Sequence, residues 1–153
     1  MKRYLCIGLL LVVCLSMAAC SAHIEDTNGA DDHSLTSITK EELLGNSSAI
    51  QFMTVRSEAN GKIEYSVGKF TGVEKVEEVR AKSGTKSITF KVNTTLEEGN
   101  LYVYVRHDGQ IVSELAIGKE DVLTVKNPTE GKYELCVAGE SASFKMVIQI
   151  TQN

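Results

Sequence analysis

Few side chains in this sequence have types and spacings that could do chemistry. His107 followed by Asp108 would suit acid–base work, because an imidazole can take up and give back a proton and a carboxylate can orient it. The pair precedes Gly109, though, and a tight turn asks for Asp-Gly on backbone grounds alone. Glu77, Glu78, Glu97 and Glu98 could supply the paired acids of a glycoside hydrolase, but nothing fixes a separation between carboxylates. They read as solvated turn and edge positions. His23, Glu25, Asp26, Asp31, Asp32 and His33 offer cation ligands without the spacing of a metal site, so they read as a solvated tail. G-x-S-x-G, H-E-x-x-H, G-x-x-x-x-G-K and C-x-x-C are all missing. No cofactor, no metal and no catalytic residue is expected, and the chain reads as a non-enzyme.

Tyr65, Tyr102, Tyr104 and Tyr133 could form an aromatic platform for a sugar or a peptidoglycan strand. Tyr102 and Tyr104 are the candidate ligand-binding residues, since they alternate with Val103 and Val105 and could form an exposed stripe. The competing reading is cross-strand packing.

The first 20 residues carry a different kind of signal. Lys2 and Arg3 form a short positive region, and Tyr4 to Ala19 is apolar apart from Ser16. Small residues Ala18 and Ala19 precede Cys20. This is the layout of a secretory signal peptide. Met17-Ala18-Ala19-Cys20 resembles the lipobox of bacterial lipoproteins, with Met17 where Leu is commoner. The resemblance implies that Cys20 receives a diacylglyceryl group and becomes the mature N-terminus. Cys14 follows Val12-Val13 and Cys6 follows Leu5, so neither fits the motif. The alternatives are an ordinary secretory signal or an uncleaved anchor, though the apolar run is short against the roughly 20 residues of a spanning helix. Each buried CH₂ of an acyl chain contributes about 0.8 kcal/mol, so two or three chains anchor durably. The expected location is the extracytoplasmic face of the cell membrane, with the protein held there by lipid.

Charge and cysteine usage agree with export. The chain has 153 residues, 16 basic and 20 acidic, for a net charge of −4, which is the wrong sign for a nucleic-acid binder. Lys2 and Arg3 leave with residues 1–19, so 14 basic residues remain against 20 acidic and the net falls to −6. Cys6 and Cys14 leave with the signal and Cys20 is expected to carry lipid, so Cys136 is the one thiol left and no intramolecular disulfide is expected. It lies in Tyr133-Glu134-Leu135-Cys136-Val137-Ala138 and reads as a half-buried structural thiol.

Three segments are expected: a signal peptide at 1–19, a tether at 20–48 that is acidic in composition and opens on the lipidated Cys that the lipobox resemblance implies, and a domain at 49–153. Ile24 and Leu35 are the only large apolar residues between 21 and 37, too few to offset the entropy of ordering that stretch. Thr39-Lys40-Glu41-Glu42-Leu43-Leu44-Gly45 has capping-box spacing at Thr39 and Glu42 and a stop at Gly45, so one helical turn is expected, docked through Leu43 and Leu44.

From residue 49 onward apolar residues alternate, with turn signals every 8 to 12 residues. Runs over Gln51–Arg56, Ile63–Val67, Ile88–Val92, Leu101–His107, Gln110–Ile117, Val122–Val125, Tyr133–Val137 and Phe144–Ile150 read as strands. Val73, Val76 and Val79 are ambiguous, with strand favoured by β-branching. Asn60-Gly61 and Asp108-Gly109 are type I′ hairpin signals, and Glu97-Glu98-Gly99-Asn100 reads as a turn. The expected fold is all-β, an antiparallel sandwich (jelly-roll or Ig-like) of eight or nine strands. Phe90, Val103, Leu135 and Ile148 are expected core positions, while Glu134 lies on the opposite, idle face.

Gly99 to Val105, Asp108-Gly109-Gln110-Ile111-Val112, Glu130-Gly131-Lys132-Tyr133 through Gly139, and Ser143-Phe144-Lys145-Met146 together resemble two β-sandwich groups. One is the small sandwich of uncharacterised exported Gram-positive lipoproteins. The other is the pre-peptidase C-terminal module of secreted enzymes, although no peptidase and no calcium-type Asp cluster is present here. The resemblance covers roughly 61–150 and rests on turn and core residues, so it implies fold and not activity. The functional expectation is a non-catalytic binding or interaction module at the cell envelope, its partner an envelope protein or a glycan. The alternatives are a structural envelope lipoprotein without a specific ligand and an accessory domain for carbohydrate or peptidoglycan binding.

Overall fold

The computed structural model describes residues 35–153. Cys20, the signal segment and the cation-ligand candidates His23 to His33 lie outside the described residues.

The chain runs α1 (Lys40–Leu44), β1 (Ser48–Ala59), β2 (Lys62–Ala81), β3 (Ser87–His107), β4 (Gln110–Leu115), β5 (Glu120–Lys126) and β6 (Gly131–Gln152). Every strand pairing is antiparallel, in the order β1-β2-β6-β3-β4, with β5 on β3. The all-β expectation therefore holds. There are six strands where the alternation suggested eight or nine, for a simple reason. The nine runs all exist, but three pairs of them are single long strands bent in the middle.

The bends come from irregularities at matching heights. The β2–β6 register shifts between Val67, Phe70 and Gly72, and the β3–β6 register shifts between Leu96, Glu98 and Asn100. Glu97-Glu98-Gly99-Asn100, expected as a turn, is instead a bulge within β3. Gly99 takes φ +73 there and lies against the Ser141 and Glu140 carbonyls of β6. A bulge bends and twists a strand without ending it, which alternation and turn residues alone do not reveal.

One half-sheet is β5-β3-β6-β2-β1, built on Ser87–Glu98, Ala142–Gln152 and Lys62–Phe70. The other is β4-β3-β6-β2, built on Asn100–His107, Gly131–Glu140 and Gly72–Ala81. Phe90, Val92, Phe144 and Ile148 of the first half share one core with Val103, Val105, Leu135 and Val137 of the second, all at most 1% exposed. A single layer cannot exclude water this fully, so the halves pack face to face as a sandwich. Contacts across its open side agree: Arg56 Nη1 donates to the Val76 carbonyl at 2.9 Å, and Gln152 Nε2 donates to the Arg80 carbonyl at 3.1 Å. All four expected core residues, Phe90, Val103, Leu135 and Ile148, are fully buried.

Both hairpin signals are realised. Asn60 and Gly61 have φ of 53° and 69°, and Asp108 and Gly109 have 47° and 69°, the double positive φ that a type I′ turn requires. The ambiguous Val73–Val79 stretch is strand. A register shift between Lys75 and Glu77 puts Val73 on the outer face and lets Val76 and Val79 pack with the sandwich core.

Candidate functional site

Three places on the domain could carry function: the acid and histidine candidates, the Tyr102–Tyr104 face, and the β1 edge.

Three of the four candidate acids, Glu77, Glu78 and Glu97, are engaged with basic neighbours. Glu77 pairs with Arg56 at 2.7 Å, Glu78 with Lys75 and Lys132 at 2.8 and 3.1 Å, and Glu97 with Lys145 at 2.6 Å. Glu77 and Glu78 belong to β2 and Glu97 to the β3 bulge, so the structure does not bring them together as a facing pair. His107 stacks flat on Tyr133, with centroids 4.1 Å apart. Its Nδ1 meets the Lys132 carbonyl at 3.0 Å and its Nε2 meets the Thr129 hydroxyl at 2.7 Å. Both ring nitrogens are thereby committed to bracing the β3–β4 and β5–β6 turns.

The Tyr102–Tyr104 face is not an open stripe. Tyr104 is fully buried and Tyr102 is half-buried, with ring centroids 5.2 Å apart. Their face of the four-stranded half carries a second apolar cluster of Val73, Tyr104, Cys136 and Ala138, covered by Leu35, Ile38 and Leu43. The covering segment contains the helical turn expected from Thr39 and Glu42. The Thr39 hydroxyl accepts from the Glu42 N–H, and the Glu42 carboxylate accepts from the Thr39 N–H, a complete capping box.

Two polar clamps hold this strap. At its start, the Thr36 and Ser37 N–H groups and both hydroxyls donate to the Glu140 carboxylate at 2.5–3.1 Å. At its end, the Tyr104 hydroxyl donates to the Leu43 carbonyl at 2.6 Å, and Arg106 Nη1 donates to the Leu43 and Gly45 carbonyls at 3.1 and 2.6 Å. Glu134 accepts from Arg106 Nε at 2.6 Å and so aims that guanidinium. The face opposite Leu135 is therefore not idle, as alternation alone suggested, because the strap covers it. Cys136 lies beneath, fully buried, and burial pushes its thiol up to about 11. It is a packed, protonated thiol and not a nucleophile.

The Ser37 hydroxyl and N–H, then Thr36, hold the Glu140 carboxyl at about 2, below its ordinary 4.5. A depressed carboxyl contributes its stability above the ordinary value and loses it as pH falls through the depressed one. The Thr39 hydrogen bonds lower Glu42 in the same sense. Between about pH 4.5 and 2 the strap is therefore expected to loosen, and hydrogen exchange of amides 36–45 should accelerate before that of β6. Simultaneous loss of both would contradict the clamp.

The β1 edge was missed by sequence reasoning. Gln51 opposes Phe70 and Thr54 opposes Val67, and both partners point into the core. The two residues between them, Phe52 and Met53, therefore both face outward, and Met53 takes φ 54° to do so. Ile50, Phe52, Met53 and Val55 are 66%, 60%, 78% and 63% exposed. Among the described residues β1 has one neighbouring strand, so its other side carries an unpaired row of N–H and C=O groups. Val55 continues into a shallow depression of about 270 Å³ with Tyr65, Met146, Val147 and Lys145. The available signal was the adjacency of Phe52 and Met53, which period-two alternation does not allow on a half-buried strand.

No family model matches the chain, and no curated protein matches it. Among solved structures, a mutant family 29 carbohydrate-binding module complexed with mannohexaose is similar over 70% of this chain and 81% of that one. Identity is 10% and the TM-score 0.37.

Proposed function

We propose that this protein is an exported lipoprotein, anchored at the extracytoplasmic face through diacylglyceryl on Cys20. Its sandwich is a non-catalytic module that binds an extended segment of another envelope protein along β1. The apolar β1 edge, exposed and without a second neighbouring strand among the described residues, carries this reading. Four large apolar side chains within six residues gain nothing until something covers them, and covering each contributes up to roughly 1.5–3 kcal/mol. The backbone groups beside them recognise another strand by its own N–H and C=O groups, as in strand addition to a sheet edge. Glu77, Glu78, Glu97 and His107 are engaged in bracing contacts, which supports a binding role over a catalytic one.

The anchor and the edge are tested together in native membranes. The N-terminal peptide of membrane-bound protein should begin at Cys20 with added acyl mass, and Cys20→Ala should release or strand the chain. A photo-cross-linker at Phe52 should give a discrete adduct mapping to an extended protein segment, lost on Ile50→Lys, while one at Lys91 should not. Unmodified mature protein in the medium would overturn the anchor, and identical adducts from both positions would overturn the edge.

A further inference from the structure

The face beneath the strap is built like a binding site. Its floor of Val73, Tyr104, Cys136 and Ala138 is at most 2% exposed, while Leu35, Ile38 and Leu43 that cover it are only half-buried. The cover is thin and the floor is dry. Each end of the groove offers one chemistry. Glu140 accepts two consecutive N–H groups, and Arg106 with Tyr104 donates to the carbonyls that end a helix. Those carbonyls are the ones a helix leaves without partners, so this end of the groove recognises the end of a short helix.

Release would leave no buried charge unpaired. Arg106 keeps Glu134, Glu140 gains water, and the Tyr104 hydroxyl is freed to water. The main core of 19 buried residues is a separate cluster from the four under the strap. Opening the strap is thus a local event that costs a small part of global stability.

We infer that the Tyr102–Tyr104 face is a docking groove for a short capped helix, occupied in cis by residues 35–45 and able to take the same segment from a second copy. The second copy is the partner because its sequence supplies every contact the groove makes: the Thr36 and Ser37 donors, the Leu35, Ile38 and Leu43 side chains, and the Leu43 and Gly45 carbonyls. Asn46, without helix or strand structure, serves as the hinge between strap and β1, since the Ser47 hydroxyl already accepts from the Lys75 N–H of β2 at 3.0 Å. Exchange of identical elements between copies makes the same contacts in both arrangements, so concentration decides between them. The inference does not depend on the β1 edge or on Cys20.

Cys136 under the strap reports on it. In the full chain, alkylation of the Cys136 peptide is followed by mass spectrometry under native conditions. Leu43→Ala, which changes only the strap, should raise the rate roughly tenfold without altering exchange of the β3 and β6 core amides. A peptide of residues 35–47 at millimolar concentration, the range of effective concentrations for short linkers, should then slow labelling again. The same peptide carrying Leu43→Ala should not. If Leu43→Ala labels Cys136 only with the urea dependence of global unfolding, the strap does not open and the inference fails. Fast labelling that the wild-type peptide leaves unchanged would also overturn it, because the groove would then not accept the segment in trans.

Discussion

Gly99→Val is expected to unfold the domain or leave it barely stable. A Cβ on Gly99 would stand 2.4 Å from the Ser141 carbonyl oxygen and 2.6 Å from that of Glu140, at a φ of +73°. A branched residue resists this φ, and such strain alone costs about 1–3 kcal/mol. The oxygens it meets are backbone, fixed by the β3–β6 ladder at the bend, so relief would require breaking the pairing of Leu101 with Gly139. Against a total stability of about 5–15 kcal/mol, the sum is decisive. Gly109→Ala makes the control: it also has positive φ, but its Cβ would meet nothing within 4 Å. Circular dichroism and urea denaturation should find the Gly109 variant folded and the Gly99 variant not. Equal tolerance would mean that the bend is not what joins the two halves.

Leu135→Ala is expected to cost about 2–5 kcal/mol. Leu135 is completely buried in the sandwich core, on the strand that pairs with both β2 and β3. Its neighbour Glu134 makes the more instructive comparison. It faces the other way but holds Arg106, and through it the strap, so Glu134→Ala should cost about 1–2 kcal/mol. That loss should appear as faster exchange of the strap, with β6 largely unaffected. Chemical denaturation of the two variants, read beside exchange of amides 36–45, distinguishes the two roles. Equal core losses would mean that the β6 register is displaced by one residue, exchanging its faces.

Much of the fold was legible in the sequence because its information is local. Alternation at Ile88, Phe90 and Val92 and at Tyr133, Leu135 and Val137 marks strands, and Asn60-Gly61 and Asp108-Gly109 mark hairpins whose backbone only such residues adopt comfortably. The helical turn at Thr39–Gly45 was legible from the capping pair. What was not legible depends on contacts distant in sequence. Whether Glu97-Glu98-Gly99-Asn100 reverses the chain or merely bulges is decided by Glu140 and Ser141, some forty residues on. Whether Tyr104 faces water is decided by Leu43, 61 residues earlier, whose carbonyl takes its hydroxyl proton in a hydrogen bond. The β1 edge was missed because exposure of Phe52 and Met53 requires the positive φ at Met53, an unfavoured state that no local propensity announces.

The central claim is that β1 docks another strand at the envelope, and hydrogen exchange of its own amides tests this most directly. In the isolated domain the amides on the free side of Ser48–Ala59 should exchange quickly, and those bonded to β2 slowly. In protein recovered with its native membrane, the free-side amides should become protected while those of the far edge, β4 and β5, keep their rates. Unchanged exchange along β1 between the isolated and the membrane-assembled protein would contradict the account.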